Sequence, residues 1–326
     1  MSADWQEALE DAWLELTRRP TEARQYRTRR LSHELGLDAF AAVRSADNAP
    51  CLVIDAEVSP ETLFEVGGMR LSVAAGDPDP LLVLSLEDSR RMDLFATLCA
   101  DAISASTDMA QGEELPAFLA RLDAWRRFLR ERHSGLSREE TIGLLGELFV
   151  LEGLVARASD TFTTWASPDD GLHDFHSRGH SLEVKTSLGP SSRIRISSVD
   201  QLATEGLDQL DLLHVRLIES ADGRSIEMLL ADILPQLPND SSRRALDNAL
   251  LRRGLMPDDN TARTRPRVQL RSLDCYHVDD EFPRIVRSDL PAGVLDATYV
   301  VDLQAIVPRA CDFDEVLESF CGRAAA

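Results

Sequence analysis

The chain has 326 residues, 44% of them hydrophobic, and a formal charge of −21. This length suggests two domains, or three small ones, with enough apolar material for a sizeable core. Such acidity argues against a strong free-standing DNA binder, because affinity for DNA comes largely from neutralising phosphates; a locally basic face, or a partner that delivers the DNA, stays open. The longest apolar runs, such as LLVLSL at 81–86, are too short to span a bilayer. MSADWQEALEDAW at the start lacks the layout of a secretion signal, so the expectation is a cytoplasmic protein with no membrane partner. Five scattered cysteines without a CxxC fit reduced thiols, and argue against a disulfide framework or a thiolate zinc site.

In chain order, Trp5, Ala8, Leu9, Ala12, Trp13 and Leu16 recur at helical spacing and predict an opening amphipathic helix. An arginine cluster follows (Arg18, Arg19, Arg24, Arg27, Arg29 and Arg30). It is a candidate grip on a DNA backbone, or equally a set of salt bridges in a very acidic protein. Strand-like runs at 39–43, 51–54, 69–73 and 81–86 precede two helices, about 88–106 and 113–132. Together these predict an α+β N-terminal domain over 1–133. Ser137 and Glu140 form a capping-box pattern and start a helix running to about 154. Short strands follow at 172–177, 180–187 and 193–197, then a helix at 198–206 and a strand at 211–218. The C-terminal region, 219–326, reads as helices near 225–234, 241–254 and 312–321, with strands at 268–278 and 296–304.

HDFHSRGHSLEVKTS, residues 173–187, carries the most chemistry. Of 35 basic side chains in the protein, 34 are arginine; the one lysine is Lys185. Gly179 suits a tight hairpin turn. A hairpin centred between Arg178 and Gly179 sets Asp174 directly opposite Glu183, on the same face and roughly 4.5–5.5 Å apart at Cβ. Two carboxylates so close repel unless a cation lies between them, and Mg²⁺ takes one or two carboxylates while keeping its waters. Lys185, two residues beyond Glu183, shares that face, while Leu182 and Val184 turn to a core. A lysine supplies a compact ammonium that can lose its proton, which arginine cannot do. Glu147 lies on or beside the apolar stripe of the 138–154 helix, where an unpaired carboxylate is costly and a metal would account for it. Gly143 and Gly146 offer that helix a close approach to the sheet.

Asp174, then Glu183-Val184-Lys185, preceded by a helix carrying Glu147, resembles the PD-(D/E)XK nuclease superfamily. GELFVLEGL, HDF, EVKTS and RIRISSVDQL resemble in particular a little-characterised bacterial PD-(D/E)XK family linked to restriction or phage defence. His173 stands where the superfamily pattern has proline. The resemblance implies an α/β protein with a restriction-endonuclease-like αβββαβ core over 134–218, between an N-terminal domain and a C-terminal α+β region. It also implies an Mg²⁺-dependent DNA endonuclease, with Mn²⁺ as a substitute. Asp174 and Glu183 would ligate the metal, Glu147 would be an accessory ligand, and Lys185 would position or activate the water. Gln201 resembles a glutamine that some members place near the site. Arg193 and Arg195 alternate with Ile194 and Ile196 and so can face substrate phosphate, and His176 shares the face of Asp174.

Competing readings remain. A non-catalytic subunit could keep the fold, and an RNA or repair nuclease would share the core chemistry. A zinc site of His173, His176 and His180 is disfavoured, because 173 and 176 point to opposite faces of a strand. Arg126, Arg127, Arg130 and Arg132 read as the polar face of a helix. The acidic balance, with analogy to defence systems, points to a complex with an ATPase or methyltransferase, and a homodimer stays open.

Overall fold

A computed structural model of the chain describes residues 5–19, 25–32, 36–56, 62–76, 80–107, 109–131, 135–165, 172–257 and 259–325. The chain is a mixed α/β protein dividing into two units, Met1–Ser134 and Gly135–Ala326. Among the described residues, no helix is long and apolar enough to cross a membrane.

In the first unit, helix α1 (Trp5–Arg18) buries Leu9, Ala12, Trp13 and Leu16, the stripe its spacing predicts. Strands β1 (Tyr26–Arg30), β2 (Ala39–Arg44), β3 (Pro50–Asp55), β4 (Phe64–Val66), β5 (Met69–Ala74) and β6 (Leu81–Leu86) form an antiparallel sheet in the order β1-β2-β3-β6-β5-β4. Helices α2 (Met92–Ala105) and α3 (Glu114–Glu131) complete the unit. Trp13 stacks on Phe95 of α2 and donates its indole N–H to the Cys51 carbonyl of β3 at 2.8 Å, satisfying the polar atom of a buried ring.

Most of the described arginines of the cluster have partners within their own unit. YRTRR, read only as a run of charge, is edge strand β1. Arg19 and Arg29 pair with Glu15, Arg30 with Asp38, and Arg27 is buried against Asn48. Arg24 lies outside the described residues. Arg126 and Arg127 share Asp123 on their own helix.

In the second unit, α4 (Arg138–Arg157) starts at the expected capping box, Ser137 with Glu140. Then come β7 (Phe175–Ser177), β8 (His180–Leu188), β9 (Arg193–Ile196) and β10 (Gln209–Arg224). Helices α5 (Ile226–Ile233), α6 (Asp240–Arg252) and α7 (Asn260–Thr264) follow. Last are β11 (Val268–His277), β12 (Tyr299–Asp302), β13 (Ala310–Cys311) and α8 (Phe313–Ala325). The main sheet runs β13-β11-β10-β8-β7, with β10 parallel to β8 and the other pairs antiparallel.

Three expectations change. Strand β9 leaves the main sheet and pairs with β12, because Ile194 and Ile196 pack with Leu210, Leu212 and Val301 in a core of their own. The 198–206 helix shrinks to a 3-10 turn at Val199–Leu202. The sheet does not stop at 218: polar ESADGR reads as loop, yet pairing with β11, through a register shift after Glu219, carries β10 to Arg224. Both sequence segments, 134–218 and 219–326, therefore build one sheet.

Alternation along β10 assigns the two faces. Leu213, Val215 and Leu217 join Leu182, Val184 and residues of α4, α5 and α8 in the larger core. Leu210 and Leu212 point to the other side, with β9 and β12.

Candidate active site

The β7–β8 hairpin forms in the register its sequence suggests: Ser177 faces His180, His176 faces Ser181 and Phe175 faces Leu182. Asp174 lies one residue before β7, just outside the last pair, Phe175 with Leu182, and close enough to Glu183 for their charges to interact. Arg178 (φ 43°) and Gly179 (φ 82°) both take positive φ, as a two-residue type I′ turn requires. Phe175, Leu182 and Val184 are buried in the core. By the period of two, Glu183 and Lys185 lie on the opposite face of β8.

Pairing with β7 ends at Phe175↔Leu182, which leaves the edge of β8 open beyond Leu182. Asp174 closes it by accepting the Val184 N–H at 2.7 Å. That bond ties the carboxylate to the strand carrying Glu183 and Lys185. Glu183 is only 3% exposed and pairs with the Lys185 ammonium at 2.6 Å. Lys185 also donates to Gln201 Oε1 at 3.2 Å. Gln201 in turn accepts the Ser197 N–H at 2.8 Å, so the 3-10 turn after β9 presents a fixed acceptor to the lysine. Gln201 thus acts on Lys185, and the structure does not aim it at open solvent.

Burial pushes the Asp174 carboxyl well above its usual range, helped by the charges of Glu183 and Glu147; the Val184 N–H and Lys185 only partly offset this. Burial also raises Glu183, opposed by Lys185. One ammonium therefore does not balance the cluster. The donor set is all oxygen, inward-facing and short of positive charge, which fits a hard divalent cation held by Asp174 and Glu183 with its remaining places filled by water.

Glu147 differs from expectation. Its Oε2 accepts the Trp165 indole N–H and the Arg253 Nε–H, each at 2.8 Å, and the Arg253 guanidinium lies 3.8 Å from the centre of the Trp165 ring. The half-buried carboxylate is thus balanced by an arginine, and no metal is needed to account for it. With Glu147 drawn toward Arg253, the three carboxylates of the site do not converge as a three-ligand cluster; among the described residues that convergence occurs elsewhere. Sequence reading missed Arg253, which lies 106 residues from its partner and carries no local signal.

Of the remaining candidates, Arg193 and Arg195 are exposed on β9 while Ile194 and Ile196 are buried, the expected alternation. His176 is exposed and shares a 2.9 Å hydrogen bond with Ser181. His173 is buried, and burial lowers it to about 4, so it is neutral. His180 turns away to Asp211, but His173 and His176 do not take opposite faces: His173 precedes the strand, and both line one cavity. A cavity of about 630 Å³, lined by His173, His176, Ser181, Asp200 and Arg287 among others, opens beside the site on the face of Glu183. A Cβ at Gly146 would meet Thr186 Oγ1 at 1.9 Å, whereas one at Gly143 would meet nothing within 4 Å, although the Gly143 carbonyl accepts the Thr186 hydroxyl at 3.4 Å.

No curated protein and no solved structure matches the chain. A family model described as "Putative PD-(D/E)XK family member, (DUF4420)" matches residues 9–304, which takes in the hairpin, α4 and Arg253 together. On that match, over most of its length, the chain belongs to this PD-(D/E)XK family.

Proposed function

We propose that the protein hydrolyses phosphodiester bonds in DNA with a divalent cation, Mg²⁺ or in its place Mn²⁺, at the Asp174–Glu183–Lys185 site. The observation that carries this reading is the carboxylate cluster at the open end of the β7–β8 hairpin. Two inward carboxylates sit beside the chain's only lysine, with less positive charge than they need. Family membership supports a nuclease-like activity.

Asp174 and Glu183 would hold the cation directly and Glu147 through water. When bound, the metal supplies Lewis-acid polarisation of the scissile phosphate. Lys185 supplies a compact positive charge where negative charge grows on phosphorus oxygens, and it can also take or give a proton at Nζ. Glu183 and Gln201 fix its position from two sides. Arg253 and Trp165 orient Glu147. Arg193 and Arg195 would bind flanking phosphates from β9, and His176 would meet substrate from the same face as Asp174. A setting in restriction or phage defence, with an ATPase or methyltransferase partner or as a homodimer, fits a net charge of −21 that leaves little long-range attraction for DNA.

Supercoiled plasmid incubated with Mg²⁺ or Mn²⁺ tests this. We expect the wild type to nick it, and Lys185→Ala and Asp174→Ala to lose activity by at least about a hundredfold. If the wild type neither cuts DNA nor gains melting temperature from Mg²⁺, the non-catalytic subunit reading replaces this one. Cleavage of RNA in preference to DNA would move the proposal to an RNA nuclease with the same site.

A further inference from the structure

On the opposite face of the main sheet from Glu183, a second group of ligating side chains converges. Asp211 on β10 is fully buried. One carboxylate oxygen meets His277 Nδ1 at the end of β11. The other is held by His180 Nε2 at 2.6 Å and by the Gln209 amide at 2.8 Å. Cys311 on the two-residue strand β13 stands directly across from Cys275 on β11. One ligand atom each from Asp211, His277 and Cys311 lies within 4.8 Å of the others.

We propose that Asp211, His277 and Cys311 form a binding site for a zinc-class divalent cation. Three kinds of observation support it. The donor set of one thiolate, one imidazole and one carboxylate suits a borderline-soft ion, and sets it apart from the all-oxygen site on the other face. The Asp211 carboxylate is oriented by two further hydrogen bonds, from His180 and Gln209, the arrangement that holds metal-ligating carboxylates in place. The His180 ring is itself pinned edge-on against Phe320 of α8 at 5.1 Å. Finally, the site has a way in: the His277 side chain is 54% exposed and Cys311 is half-buried, so an ion and a water in the fourth place can reach a carboxylate that is itself sealed. His277 and Asp211 now touch directly, and an ion would enter between them.

The position suggests what the ion does. Strand β13 has only two paired residues, and helix α8 starts two residues after Cys311. A cation shared by Asp211, His277 and Cys311 fastens this short edge to the central strand, and with it the helix that places Phe320 on His180. The absence of a CxxC argued against a thiolate zinc site; the three strands assemble one from ligands 66 and 34 residues apart.

Cobalt(II) titration of the reduced, chelator-treated full-length protein tests the proposal. Cobalt bound to a thiolate gives a near-ultraviolet charge-transfer band; the Asp174–Glu183 site contains no sulfur and cannot give one, and Cys311→Ser separates Cys311 from the other cysteines. We expect a band saturating at one cobalt per chain in the wild type and in Asp174→Ala, abolished by Cys311→Ser and displaced by zinc. Zinc should also raise the melting temperature of the wild type and of Asp174→Ala, but not of Cys311→Ser. Circular dichroism checks that Cys311→Ser is folded, and His277→Ala, altered at an exposed side chain, gives a second variant that should lose the band. No thiolate band in the wild type, or a band that survives Cys311→Ser, would overturn the proposal and leave Asp211 and His277 as an ion pair.

Discussion

Asp174 and Glu183 are poised at a cost. Both carboxyls are pushed up, so ionising them favours the unfolded chain, and without a cation stability declines as pH rises through their titration. Asp174→Asn keeps an oxygen for the Val184 N–H and removes the charge. It should raise the melting temperature of the metal-free protein by a few degrees, on the order of 1 kcal/mol, and abolish the further rise that Mg²⁺ gives the wild type. Thermal melts with and without Mg²⁺ check both.

His214 behaves in the opposite sense. It is buried on β10 beside Ser187, and burial lowers it to about 4. Because its folded value lies below its unfolded one, the neutral form favours folding. This stability is present above about 6.5 and is lost as pH falls toward 4, on the order of 3 kcal/mol in total. Urea melts of His214→Asn against wild type should show a stability difference that narrows over that window.

At the scale of elements, α4 and β8 meet where Gly146 lies against Thr186. Gly146→Ala pushes a methyl group into that hydroxyl and should cost about 1–3 kcal/mol. Gly143→Ala has open space and should be neutral or gain up to about 1 kcal/mol from helix propensity. Chemical denaturation of the two variants separates a packing glycine from a merely helical one. Both lie three residues apart on one helix, and spacing alone cannot rank them. The hairpin is different: its register from Ser177–His180 to Phe175–Leu182 follows from alternation and from Arg178-Gly179 at the turn.

For the whole molecule, charge sets the terms of any encounter with DNA. With a net −21 and the arginines at 19, 27, 29 and 30 occupied within their own unit, Arg193 and Arg195 are exposed cations that follow the site closely in sequence. If they make the phosphate contacts, binding should weaken with salt at a slope of about −2 in log–log terms, and of about −1 in Arg195→Ala. Fluorescence anisotropy over a salt series with the cleavage-dead Asp174→Asn protein measures both slopes.

Local pattern was enough for the capping box of α4, the register of the β7–β8 hairpin, the lone lysine and the outward arginines of β9, because each depends on spacing within one or two turns or rungs. It could not show that Arg253 pairs with Glu147, that Gln201 steadies Lys185, that β9 abandons the main sheet for β12, or that Asp211 gathers His180, His277 and Cys311. Those outcomes depend on which distant segments the packing of two cores brings together. A buried charge takes whatever partner the finished fold sets within reach, and no periodicity along the chain records that choice.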